Sequence, residues 1–375
     1  MTAVRSRIES WNCVPRLFLH CKDNIMETFD YTTVEEQIAK LKSQNLIISD
    51  EAAAKVALTI YGYSNLIKSY REPYTIIIDG QRQYRNGVTF DQLYSLYILD
   101  KNLRNAVMAS MLDLEEHIKA TAAEVIAKSF GTHPDEYLNF RNYSNRRKRK
   151  KHFTLTGILD TLNKTLNTGK DPIHHYKTVH EIVPPWILFK SIYFTTIVNF
   201  VDLFKTQQKN EMFNNLYDLD NLHLSEESGR MLMMDTLFIC LDYRNTAAHG
   251  GRTYNHQSDN KLRAENIFGI EPDGIAPGFG QFLFLLRLLR YKNPFLYLDS
   301  VLSSEVNRHC SQFPQDVTYL GQILNMNITA QEVVWISPNS NKCHSDPHYS
   351  DMKNAIKIPF AEAKDKGYVC CKKCN

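Results

Sequence analysis

The sequence predicts a mainly α-helical protein that ends in a small module of a different kind. Three observations carry this. Apolar residues recur at threes and fours, most clearly from Leu93 to Val125, with neither Gly nor Pro before Gly131. Beyond about residue 320 the pattern changes to short runs of strand character. Four of the eight cysteines, Cys343, Cys370, Cys371 and Cys374, crowd the C-terminal end. The expected division is an N-terminal arm at 1–32, a helical domain at 33–320 and a small zinc-binding module at 321–375.

Residues 33–71 read as two helices, with apolar positions at Val34, Ile38, Leu41 and Leu46 and then Ala54, Leu58, Tyr61 and Leu66, and with Ser49-Asp50 as the cap between them. Asp79-Gly80 tolerates positive φ between two short extended runs, so 74–85 is read as a hairpin or a polar loop. Thr89 with Gln92 forms a candidate capping box for the long helix that follows. A basic run at 146–152 interrupts the periodicity. After Pro184-Pro185, one helix is expected to carry Trp186, Phe189, Tyr193, Ile197, Phe200 and Phe204 on one stripe. Ser225 caps a further helix, which continues through Met234, Leu237 and Leu241 to Arg244. The Gly- and Pro-rich segment 271–280 is a loop leading into a helix at 282–289. The runs 332–337 and 355–359 are expected strands.

A chain of 375 residues, 43% hydrophobic and 23% charged, has the composition of a soluble globular protein with a substantial core. Its longest apolar runs fall far short of a membrane span, and Arg5, Arg7, Glu9, Arg16 and Lys22 break up the start before any leader-like stretch develops. A cytoplasmic location without membrane association is the expectation. The net charge of +3 is small against 44 basic and 41 acidic residues, so only the distribution of charge bears on partners.

The chemistry concentrates in Arg244-Asn245-Thr246-Ala247-Ala248-His249-Gly250-Gly251-Arg252-Thr253-Tyr254-Asn255, directly after an apolar helical stretch. A guanidinium, an amide and an imidazole are the groups needed to hold and cut a phosphodiester without a metal. Spacing alone is a weak signal, because Arg147 and His152 satisfy the same Arg-x4-His pattern within the basic run. Five residues of helix turn through about 500°, so Arg244 and His249 would stand roughly 140° apart. Either the helix ends or bends between them, or a second copy of the chain completes the site. Completion in a homodimer supplies two histidines, one general base and one general acid, as RNA cleavage through its own 2′-hydroxyl requires. Arg244 then binds the phosphate and Asn245 orients His249 or a phosphate oxygen. The expected products are a 2′,3′-cyclic phosphate and a 5′-hydroxyl. The bland reading pairs Arg244 with Asp242, or lets it cap a helix end, and leaves His249 as a surface residue beside a turn.

The resemblance extends well beyond this dozen residues. Glu36-Gln37-Ile38, Leu46-Ile47-Ile48-Ser49-Asp50, Tyr61-Gly62-Tyr63, Gly87-Val88-Thr89-Phe90, Leu99-Asp100-Lys101-Asn102-Leu103-Arg104, Asp113-Leu114-Glu115-Glu116, Pro184-Pro185-Trp186-Ile187 and Arg244-Asn245 with Ala248-His249 occur in an order that resembles the Abi (abortive infection) family of phage-defence proteins, of the AbiD/AbiF type within the HEPN superfamily. The resemblance implies a HEPN-like helical bundle and a dimeric, metal-independent endoribonuclease with Arg244, Asn245 and His249 as catalytic residues. It also implies auxiliary roles for Arg252 and Asn255, and for Glu116 on the long helix as a group that could orient Arg244. Competing readings are a non-catalytic RNA-binding or protein-interaction module, and a toxin held inactive by a cognate antitoxin protein or small RNA.

Arg146, Arg147, Lys148, Arg149, Lys150 and Lys151 could contact RNA phosphates, with Tyr137, Phe140, Tyr143 and Phe153 as stacking surfaces; a solvated loop is the alternative. At the tail, His344-x3-His348 and Cys371-x2-Cys374 form a candidate tetrahedral zinc set, with Cys343 and Cys370 as competing donors. The tail also resembles small modules with a Lys-x-His and Gly-Tyr-x-x-Cys-x-x-Cys pattern, in which His348 replaces a usual cysteine. Four protein ligands leave no open position, so a zinc here is expected to be structural rather than catalytic, with free thiols at a flexible terminus as the alternative, and catalysis is expected to need no cofactor.

Overall fold

The computed structural model describes residues 31–219, 222–269, 275–328, 333–337, 340–344, 352 and 355–371. Apart from its last two residues, the arm expected at 1–32 lies outside the described residues. In chain order the elements begin with α1 (Val34–Ser43), α2 (Glu51–Tyr61), the hairpin β1 (Thr75–Ile78) and β2 (Gln81–Tyr84), and α3 (Phe90–Phe130). Then come α4 (Pro134–Tyr137), α5 (Leu155–Leu166), α6 (Ile173–Val179), α7 (Pro185–Leu188), α8 (Phe194–Val201), α9 (Thr206–Leu216) and α10 (Glu226–Ala248). The chain continues through α11 (Ala264–Phe268), α12 (Phe279–Leu288), α13 (Asn293–Gln312) and α14 (Val317–Leu324). Last are β3 (Val333–Ile336), β4 (Lys342–His344), β5 (Ile356–Pro359), α15 (Phe360–Asp365) and β6 (Val369–Cys370). The protein is thus mainly helical. No helix among the described residues is long and apolar enough to cross a membrane.

The 41-residue α3, about 62 Å long, is the axis of the bundle, with α7, α9, α10 and α13 packed along it. The apolar positions read from the sequence, including Leu93, Leu103, Met111, Leu114, Ile118 and Val125, are completely buried. Wrapping on several sides also buries polar groups between them, among them Asp100, Ser110 and Thr121. Thr89 caps α3 by accepting from the Gln92 backbone N–H, as expected, but the Gln92 side chain does not close the box. It reaches across to Asp316 instead, at 2.9 and 3.0 Å.

The single helix expected after Pro184-Pro185 is broken. After α7 comes a 3₁₀ turn (Phe189–Ser191), then extended backbone at Ile192 and Tyr193 before α8. Leu188, Phe189, Ile192 and Phe194 are all buried, a spacing that one helix would spread around its circumference, whereas the break leaves Tyr193 80% exposed. The segment 74–85 does form a hairpin, with Asp79 and Gly80 both at positive φ. The C-terminal strands form a sheet of order β5-β3-β4-β6, in which β4 and β6 run parallel and the other neighbours antiparallel. Val334, Ile336, Cys343, Ile358 and Ala363 make a small core of their own, separate from the main helical core.

A buried polar cluster ties the two ends of the helical region together. Asp316 accepts from Tyr74 Oη (2.7 Å) and Gln92, and lies 2.9 Å from His309 Nε2 on α13. Burial alone would raise its carboxyl, but the partners His309, Gln92 and Tyr74 outweigh this and hold it below the usual carboxylate value. A carboxyl that is more acidic when folded stabilises the protein above its unfolded value of about 4 and loses that contribution as pH falls further. Asp316→Ala should therefore cost roughly 3 kcal/mol at pH 7. Urea unfolding of mutant and wild type should show this gap narrowing below about pH 4; an equal gap at both pH values would contradict the assignment.

Candidate active site

The Arg244–Asn255 segment sits where α10 ends. The helix closes at Ala248, and His249 is its C-cap, with φ −91° and ψ 11°. Gly250 takes φ +72°, its N–H bonds to Ala247 O (3.2 Å), and Gly251 N–H bonds to Thr246 O (2.8 Å). This paired pattern, with a left-handed glycine just past the cap, satisfies the last carbonyls and stops the helix. Of the alternatives for bringing Arg244 and His249 together, the helix does end between them. His249 is exposed, while Arg244 and Asn245 are half-buried.

The expected pairing of Arg244 with Asp242 does not form. Asp242 is occupied by His256 Nε2 (3.2 Å), Ser258 Oγ (2.7 Å) and the Asp259 N–H (3.2 Å). The His256 bond, with these others, holds its carboxyl below the usual range. Arg244 donates from Nη1 to Asn245 Oδ1 at 3.4 Å, and its buried Nε–H has no partner. Asn245 therefore touches Arg244 rather than His249. A buried guanidinium N–H without an acceptor is uncommon in a settled core, and it fits a site that receives an anion from outside.

The loop after the motif is fixed by a carboxylate buried in α3. Asp100, with no exposed surface, accepts from Thr253 N–H (2.8 Å), Thr253 Oγ1 (2.7 Å) and Tyr254 N–H (2.8 Å) on one oxygen, and from Tyr70 Oη (2.5 Å) on the other. Arg104, one turn further along α3, lies 3.8 Å from Asp100 and reaches the carbonyls of Gly250 and Gly251 at 3.4 and 3.5 Å. Arg252 donates to Ser69 O at 2.6 Å. It acts as a clamp on the segment after α2, and Asn255 lies half-buried in the same loop. Tyr243 Oη bonds to His256 O (2.8 Å), and Arg263 makes a two-pronged pair with Asp235 farther along. Asp100, Arg104 and Asp242 were not singled out as site residues. Their signal was the spacing of Asp100 and Arg104 at i and i+4 on a stripe that is otherwise apolar.

Glu116 is not part of this constellation. It is exposed, it lies twelve residues or about 18 Å along α3 from Arg104, and it lines a cavity of about 780 Å³ with His117, Trp186, Lys190 and Tyr291. The basic run also differs from a uniformly solvated block. Lys148 pairs with Asp202, which also lies 3.9 Å from Arg146 and 3.4 Å from Lys209. Three cations converging on one carboxylate draw part of the run against the surface, while Arg147, Arg149, Lys150 and Lys151 stay exposed. Of the four aromatic rings expected to stack on bases, Tyr137 and Tyr143 are buried and unavailable for stacking. Phe153 is half-buried and Phe140 is exposed.

In the C-terminal sheet, β4 and β6 pair Cys343 with Cys370, and Cys371 N–H bonds to Cys343 O at 3.0 Å. His344 and Cys371 each follow one residue after this pair, and both are buried. Cys343 points into the small apolar core. His348 and Cys374 lie outside the described residues, and no three metal-binding side chains gather among the described ones.

The model of a family described as Abi-like protein matches residues 56–255, just over half of the chain and ending on Asn255 of the motif segment. The chain belongs to this Abi-like family, which points to abortive-infection phage defence. Neither a curated protein nor a solved structure matches it.

Replacing Asp100 with Ala would strand the Tyr70 hydroxyl and two backbone N–H groups in the core. The expected cost is roughly 3 kcal/mol in chemical unfolding. Limited proteolysis should then cut first within 250–256; protection equal to wild type would mean that Asp100 does not hold this loop.

Proposed function

We propose that the protein is a metal-independent endoribonuclease of the HEPN type that acts in phage defence, with Arg244, Asn245 and His249 at its reactive centre. The observation that carries this reading is the half-buried Arg244, whose Nε–H lacks an acceptor, beside an exposed imidazole at the end of the same helix. A phosphodiester supplies the missing acceptor. The guanidinium then offsets charge that develops on the phosphorane oxygens. Asn245, through its bond to Arg244, keeps the guanidinium in place.

His249 removes the 2′-hydroxyl proton, and the oxygen attacks phosphorus. The bond to the 5′-oxygen breaks, and that oxygen takes a proton from the imidazolium of a second copy of the chain. The exposed position of His249 at the α10 terminus leaves room for that approach in a homodimer. Single-stranded RNA should be cut by wild type in excess chelator. His249→Ala should lower the rate about 100-fold or more while binding persists. If wild type and mutant bind alike and neither cuts, the protein grips phosphate without catalysis and the nuclease reading fails.

A structural zinc ion in the C-terminal module is a separate proposal, supported by His344 and Cys371 each lying one residue beyond the paired Cys343 and Cys370, with His348 and Cys374 as the other ligands. Metal analysis of the purified protein should find near-stoichiometric zinc. Cys371→Ser should lower the zinc content and the stability of the module while RNA cleavage continues. Absence of zinc from the wild-type protein would remove the ion from the account.

A further inference from the structure

The cavity beside Glu116 lies where α3 surfaces from the bundle. Leu112, Glu116 and Ala120 recur every four residues along the open side of the helix, and all three are exposed. Trp186 on α7, Lys190 in the 3₁₀ turn after it and Tyr291 between α12 and α13 form the walls. At about 780 Å³ the cavity is of the size that holds a small organic ligand, and its lining includes none of Arg244, Asn245 and His249.

Most polar groups of this lining are already engaged. Glu115 pairs with Lys119 at 2.7 Å, and Tyr291 Oη donates to Asp113 at 3.0 Å. Burial pushes the His117 imidazole below its ordinary value, so at pH 7 it is an uncharged ring, 5.3 Å from the ring of Tyr291. Glu116 and Lys190, by contrast, have neither a hydrogen bond nor an ion pair among the described residues, and both are exposed. Trp186 is 45% exposed, although an indole gains much from being covered. A carboxylate, an ammonium and an open indole, none of them engaged, thus line one cavity.

These three groups suit different parts of one kind of molecule. An indole stacks on a flat heteroaromatic ring. A carboxylate only accepts, and its two oxygens lie side by side, so it matches a ring edge that carries two adjacent donors. Among the common nucleobases guanine has such an edge, in N1–H and the exocyclic N2 amine, whereas adenine, cytosine and uracil set an acceptor beside each donor. An ammonium then matches the phosphate of the same nucleotide.

We propose that this cavity binds a guanine nucleotide, with the base stacked on Trp186, its N1–H and N2–H donated to Glu116 and its phosphate held by Lys190. A free nucleotide and a guanosine within an RNA strand offer the same contacts. The site is separate from the reactive centre, so the proposal goes beyond the nuclease reading and stands or falls without it.

The test titrates GMP, AMP and guanosine into the full-length protein while tryptophan emission is read. Trp186 is one of three tryptophans in the chain, so the same titration of Trp186→Phe isolates its share of the signal. GMP should quench the Trp186 signal saturably and bind about tenfold or more tighter than AMP, the discrimination that one bidentate base contact gives. Glu116→Gln keeps the shape but turns one acceptor into a donor, and should abolish that preference. Lys190→Gln should bring GMP down to the affinity of guanosine and leave guanosine unchanged. Thermal unfolding identifies any variant that fails to fold. To find the source of the base, 8-nucleotide strands of adenosine, with and without one central guanosine, compete against GMP on full-length His249→Ala protein. Displacement by the guanosine-containing strand alone assigns the site to RNA, and GMP binding that neither strand displaces assigns it to a free nucleotide. Equal binding of GMP and AMP, displacement by both strands alike, or a GMP preference kept in folded Glu116→Gln would overturn the proposal. So would Trp186 emission that changes with protein concentration and not with GMP, the sign of a second copy covering the cavity.

Discussion

The candidate active site depends on one buried carboxylate. Asp100 sits inside the longest helix of the protein and takes three hydrogen bonds from Thr253 and Tyr254, four residues beyond His249. Burying a carboxylate in a helical core is unfavourable unless its lone pairs are used, and here the users are backbone N–H groups of the loop together with Tyr70 and Arg104. The consequence is geometric. Rigid α3 fixes the loop, the loop fixes the glycine pair, and the glycine pair fixes where α10 stops, so that His249 emerges at the helix end with Arg244 one turn behind it.

The same arrangement explains why Arg244 keeps an unmet N–H. Its nearest acidic neighbour in sequence, Asp242, is drawn to the other side by His256, Ser258 and the Asp259 backbone, which leaves the guanidinium to Asn245 and to whatever anion arrives. Stability and function are divided between the two ends of the motif segment. Arg252, Thr253 and Tyr254 anchor the loop, while Arg244, Asn245 and His249 are the residues proposed to act on RNA.

Much of the fold was legible in the sequence because its signals are local. The stripe from Leu93 to Val125, the caps at Thr89 and Ser225, and the Asp79-Gly80 turn each act over a few residues, and each appears in the structure. The break at Ile192–Tyr193 was not legible, since only the surrounding core determines that Leu188, Phe189, Ile192 and Phe194 must all be covered. Gln92 likewise looked like half of a capping box but found a stronger partner in Asp316, more than two hundred residues away in sequence. In the candidate site, Arg244, Asn245 and His249 stood out by residue type and spacing. Asp100 and Arg104 did not, because their role comes from a contact between α3 and a loop some 150 residues later. Glu116 shows the converse: a charged residue on an apolar helix invites a functional role, and in the structure it lines a cavity with Trp186 and Tyr291 whose lining includes none of Arg244, Asn245 and His249.

The central claim is that the ribose 2′-hydroxyl of the substrate is itself the nucleophile, activated at His249 over a phosphate held by Arg244. A single 2′-deoxyribose placed on the 5′ side of a mapped cut, in an otherwise identical RNA incubated with chelator, tests this most directly. The account predicts that cleavage at that linkage disappears while other linkages are still cut to 2′,3′-cyclic phosphate and 5′-hydroxyl ends. Undiminished cleavage at the deoxy position would contradict it.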